Sequence, residues 1–130
     1  MRRLNLLLFP VVLIVSAMIA TLALAGDIVG QYTFEGSNPG SQAKYAGRAM
    51  IEKKGDAYLV GWQIGNQELA GTGILQDNTF AVVYIARNSK TEPGLVLYTI
   101  LPNGMLVGKF TNLGGTSLGT ETWTPVSASK

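Results

Sequence analysis

The sequence predicts an all-β domain, an eight-stranded antiparallel up-and-down barrel preceded by an N-terminal signal helix. Three observations lead there. Short apolar stretches alternate with period two, glycine-rich turns separate them at regular intervals, and no stretch after the first 25 residues carries a helical apolar stripe. The clearest stretch is Ala57 to Ile64, which places Tyr58, Val60, Trp62 and Ile64 on one side and Ala57, Leu59, Gly61 and Gln63 on the other. Trp62, one of two tryptophans, is the natural candidate to fill an interior.

Residues 1–25 read as a targeting segment. Arg2 and Arg3 form a positive start, Leu4 to Leu22 is almost wholly apolar, and Ala23-Leu24-Ala25 is an A-x-A cleavage site. An uncleaved membrane anchor is the alternative, since the apolar run nearly suffices to span a bilayer. Cleavage makes the protein exported, periplasmic or secreted, with no membrane association afterwards. It also removes two of the ten basic residues and leaves eight of each sign, so the mature chain is neutral. No nucleic-acid partner is expected, because such a surface needs clustered positive charge and only Lys53-Lys54 begins a cluster.

The mature chain divides into a barrel domain, 26–125, and a frayed tail, 126–130. At about 105 residues its core is modest. It has no cysteine, so no disulfide holds it together, and closing the sheet would leave no unpaired edge.

In order, Gly30 to Phe34 is the first strand, and Gly36-Ser37-Asn38-Pro39-Gly40-Ser41 is a loop by its punctuation. Tyr45 to Lys53 sets Tyr45, Gly47, Ala49 and Ile51 on one face. Lys54-Gly55-Asp56 turns into the Trp62 strand, and Gly65-Asn66-Gln67 turns out of it. Leu69 to Leu75 contains Gly71 and Gly73, which a strand tolerates where a large ring packs close or the sheet bends. After Asp77-Asn78 come Thr79 to Ala86, a polar loop from Asn88 to Gly94, and Leu95 to Leu101. Asn103-Gly104 is a strong hairpin signal before Met105 to Thr111, and Gly114-Gly115 precedes the last strand, Ser117 to Thr124. An eight-stranded outer-membrane barrel is the rival architecture. Arg48, Glu52, Gln63 and Lys109 on one face favour a water-facing barrel, since a lipid-facing band is apolar.

Candidate ligand-binding residues are Tyr58, Trp62, Tyr84, Tyr98 and Glu121. The aromatic set, with Phe110, either lines a cavity or fills a core, because barrels of this size do both. Glu121 shares parity with Gly119 and Trp123 and so points inward, where a carboxylate needs donors such as tyrosine hydroxyls. Either a structural hydrogen bond or ligand recognition satisfies it. The chain has no histidine and no cysteine, which removes thiol chemistry and histidine triads, and its other carboxylates fall mostly at turns or strand ends. No catalytic residue, metal site or cofactor is expected, and the protein is read as a non-enzyme.

Tyr45-x-Gly47, Gly55-Asp56-x-Tyr58-x-Val60-x-Trp62-x-Ile64-Gly65, Gly71-x-Gly73-Ile74, Ala81-Val82-x-Tyr84, Tyr98-x-Ile100, Gly104-x-Leu106-x-Gly108 and Gly119-Thr120-Glu121 form a spaced pattern. From Gly30 to Glu121 this pattern resembles a family of small exported bacterial proteins labelled fibronectin-binding, with Phe110 where that pattern suggests tryptophan. The resemblance implies a calycin-like barrel and a binding role, adhesion to a host or extracellular protein such as fibronectin. It supplies no catalytic residues. The alternative is a small-ligand carrier or periplasmic inhibitor-like calycin barrel, so the partner is a protein or a small apolar ligand. The oligomeric state is left open.

Overall fold

The computed structural model describes residues 27–127. Eight strands follow one another: β1 (Gly30–Ser37), β2 (Lys44–Lys54), β3 (Ala57–Ile64), β4 (Gln67–Gln76), β5 (Thr79–Ala86), β6 (Gly94–Ile100), β7 (Leu106–Asn112) and β8 (Gly119–Pro125). Each pairs antiparallel with the next, and β1 closes on β8, giving a complete barrel with no helix among the described residues. The segment read as a signal peptide and residues 128–130 lie outside the described residues.

Alternation sorts the side chains. Tyr58, Val60 and Trp62 are buried while Leu59 and Gln63 face out, and the same parity rule holds along β1, β6 and β8. The first strand runs three residues beyond Phe34. Gly36 and Ser37 pair with both β2 and β8, and this double pairing holds them in the sheet despite their turn-like composition.

The barrel's two ends differ. One end is closed by two-residue turns at Gly55-Asp56 and Asp77-Asn78 and by the connection 101–105. In that connection Gly104 takes a left-handed φ of 84° and Asn103 Oδ1 accepts the Met105 N–H at 3.1 Å. Ile28, just before β1, is buried there, and the Tyr32 hydroxyl donates to its carbonyl at 2.6 Å. The opposite end carries the longer connections, 38–43, 87–93 and 113–118, beside one tight turn at Gly65-Asn66.

The interior is filled toward the closed end and across the middle by Ile28, Ile51, Phe80, Val82, Leu106 and Trp123, among others. Trp123, fully buried, is the hub of the aromatic packing. Its ring centroid lies 5.0 Å from Tyr98, 5.3 Å from Tyr32, 5.7 Å from Trp62 and 5.9 Å from Phe34.

The outer surface is uneven. β1 to β3 present Gln31, Glu35, Arg48, Glu52 and Gln63, and β8 presents a row of threonines. Across β4, β5 and β6 the outward residues Ile74, Val83, Ile85, Leu95 and Leu97 are each more than half exposed. Exposed apolar side chains also occur at Met50 and Leu59 on β2 and β3 and at Leu113 and Leu118 in the last connection, but β4 to β6 carry the largest group on strands.

Candidate functional site

The loop-bearing end opens into a cavity of about 260 Å³. Its walls are aromatic: Trp62 with Tyr84, centroids 5.5 Å apart, and Tyr45 with Phe110, 6.4 Å apart. Ile64 and Leu69 add apolar wall, and Asn38, Gln67, Glu92 and Asn112 form the rim. The 87–93 loop is tied over this rim where Asn112 Nδ2 donates to the Glu92 carbonyl at 3.2 Å and the Leu113 N–H to the Pro93 carbonyl at 2.8 Å.

At the base stands Glu121, only 6 % exposed and the one charged residue buried among the described residues. The Tyr98 hydroxyl donates to its Oε2 at 2.6 Å, a short bond of the kind expected when the acceptor is a carboxylate. Tyr45 also directs its hydroxyl toward the carboxylate. Burial raises the Glu121 carboxyl above its ordinary value, against the opposing pull of Tyr98, Tyr45 and the indoles of Trp123 and Trp62. Trp123 Nε1 nonetheless closes no hydrogen bond of its own. Burial and then the Glu121 charge raise the tyrosines in turn: Tyr84 is pushed up to about 12, and Tyr45 and Tyr98 also rise. All three phenols therefore stay protonated donors at neutral pH.

Two glycines make this cluster possible. Glu121 is paired on one side with Gly108, which itself pairs with Tyr98, and on the other with Gly36, which pairs with Tyr45. A Cβ on Gly108 would lie 2.5 Å from Tyr98 Cδ1, and one on Gly36 would lie 2.6 Å from the Tyr45 hydroxyl. Each tyrosine crosses a strand that lacks a side chain at that point and so reaches the carboxylate.

Of the residues singled out from sequence, Trp62, Tyr84 and Glu121 line this cavity together. Tyr98 is fully buried and touches the site through Glu121. Tyr58 lies toward the opposite end, edge-on to Phe80 at 5.6 Å with the Lys53 ammonium 5.9 Å from its ring centroid. Tyr45, Leu69 and Glu92 belong to the site but were not singled out. Tyr45 shares inward parity with Gly47, Ala49 and Ile51, which is the signal that could have found it. A broader, shallower concavity of about 550 Å³ lies on the outer face around Gly61, with Arg48, Glu68 and Arg87 along it; its one buried titratable residue, Tyr32, gives its hydroxyl to the Ile28 carbonyl.

Neither the protein-family models nor the curated proteins contain a match to this chain.

Proposed function

We propose that this chain is a non-enzymatic binding protein that takes a small ligand into the open mouth of the barrel. One observation carries the reading. The interior is packed through the Trp123 layer and then opens into an aromatic-walled cavity with a single buried carboxylate at its base. Recognition sites for small molecules combine mostly apolar walls with a few placed polar groups in this way. At about 260 Å³ the cavity lies just under the range usual for drug-sized ligands, so the ligand is small. Export to the periplasm or beyond is part of the same proposal and rests on the composition of residues 1–25. A library of small metabolites screened by tryptophan fluorescence tests it, because Trp62 lines the cavity. Saturable quenching that disappears in Tyr84→Leu supports the proposal, and quenching that survives that change moves binding away from the mouth.

A second reading is capture of an extracellular protein such as fibronectin. The exposed apolar side chains of β4, β5 and β6 favour it, since contiguous surface of this kind marks interaction sites. Val83→Lys with Leu95→Lys should leave the fold intact and abolish fibronectin capture. Capture undiminished by both changes removes this reading.

A further inference from the structure

The cavity's charge is as one-sided as its walls are aromatic. Two carboxylates line it, Glu121 at the base and Glu92 at the rim, and no lysine or arginine does. Lys44, Arg87 and Lys90, at the same end of the barrel, are exposed and are not among the lining residues. Glu121 is therefore a buried acid with no cation beside it: the Tyr98 hydroxyl donates to it, and its other neighbours, Tyr45, Trp62 and Trp123, are uncharged. Taking a carboxylate out of water without an opposing charge is unfavourable, and a cation placed above it offsets that cost.

We propose that the mouth receives a small alkylated ammonium ion, held among the rings of Trp62, Tyr84, Tyr45 and Phe110 and above the Glu121 carboxylate. The inference rests on the mouth being a ligand site and adds the class of ligand. Ring faces carry negative potential and attract cations within about 6 Å of their centroids, most strongly when water is excluded. Two ring pairs line the common space, and because their planes are inclined at 53° and 78° within each pair, the four rings are not all set in one orientation. The alkylation follows from the carboxylate's surroundings. Tyr98 already occupies Oε2, and the Tyr45 ring, lying over Gly36 beside Glu121, crowds the carboxylate from the other side. A ligand needing to donate several hydrogen bonds there would have to displace them. An ammonium sheathed in methyl groups needs no such bond, meeting the carboxylate through charge and the rings through contact.

The experiment compares three probes of similar size on the full chain by calorimetry and tryptophan fluorescence: choline, its uncharged isostere dimethylbutanol, and hexanoate. Choline should bind about tenfold or more tightly than the alcohol, and hexanoate weakest of the three. Glu121→Gln keeps an acceptor for Tyr98 and should remove the preference for choline while leaving the alcohol unchanged. Tyr84→Leu, in the half-buried part of the wall, supplies a second variant should the first fail to fold, and it should weaken choline more than the alcohol. Lowering the pH until Glu121 is protonated should have the same effect as Glu121→Gln. Equal binding of alcohol and choline, or tighter binding of hexanoate, overturns the cation inference while leaving a ligand-binding mouth. Quenching by some other small molecule with none of the three probes bound also overturns it. No quenching by any small molecule removes the mouth as a site altogether.

Discussion

Tyr98 on β6 reaches across the whole of β7 to hydrogen-bond Glu121 on β8 at 2.6 Å, passing over the bare backbone of Gly108. The contact joins residues 23 positions apart in sequence and sets the floor of the mouth. Its dependence on an absent side chain makes it directly testable.

Gly108→Ala should be destabilising by about 1–3 kcal/mol, because the new methyl drives the Tyr98 ring from its place and loosens the Glu121 hydrogen bond. Gly61→Ala is the matched control, since nothing lies within 4 Å of a Cβ there and alanine is favoured over glycine in a strand. Urea unfolding of both variants measures the difference. Equal effects at the two positions would mean that the close approach at Gly108 has no energetic consequence.

Trp123→Ala should cost about 3–5 kcal/mol, whereas Trp62→Ala should cost less, because the Trp62 ring has the cavity on one side. Trp123→Phe should recover part of the loss by keeping a ring against Tyr98 and Tyr32. A larger loss at Trp62 than at Trp123 in thermal unfolding would place the hub of the core on β3 instead of β8.

Stability should fall as pH rises through the acidic-to-neutral range. Burial raises the folded-state pKa of Glu121 above its ordinary 4.5, so the folded protein still holds a proton that the unfolded chain has released. This group's contribution is most favourable below 4.5 and declines as pH climbs through the raised value. Glu121→Gln should flatten that slope and stabilise the barrel at neutral pH. Unfolding midpoints from about pH 4 to about pH 8 test the sign, and a wild-type-to-variant difference that stays constant with pH would refute it.

Processing is checked independently. Exported protein should begin at Gly26, and N-terminal sequencing that returns Met1 would favour the anchor reading of the apolar run.

Strand identity and facing were legible because period-two alternation is a local property: Tyr58-x-Val60-x-Trp62 and Val96-x-Tyr98-x-Ile100 point inward as their spacing requires. The inward direction of Glu121 followed from the same parity. Which aromatics share a level of the barrel was not legible, since level depends on the register between strands. Tyr58 and Trp62 sit on one face of one strand, yet Tyr58 packs against Phe80 and Trp62 faces the mouth. Register also decides the hub. Trp62 stood out by the regularity of its strand, but Trp123 gathers four aromatic neighbours because β8 closes against β1 and brings Tyr32 and Phe34 alongside it. The outward apolar residues of β5 and β6 had the same alternation as the core, and only the closed sheet determined which half met water.

The seam between β1 and β8 has a kinetic consequence. Every other pairing in the barrel joins neighbours in sequence and can form as a hairpin, but this one must bring together the two ends of the domain. Closing so long a loop is entropically slow, so the seam should be the late event in folding. Until β8 arrives, β1 and β7 are open edges able to pair with other chains, and Trp123 and Glu121 are still missing from the interior. A chain truncated before Gly119 would therefore lose the core's hub, the floor of the mouth and its protection from edge-to-edge association in a single step.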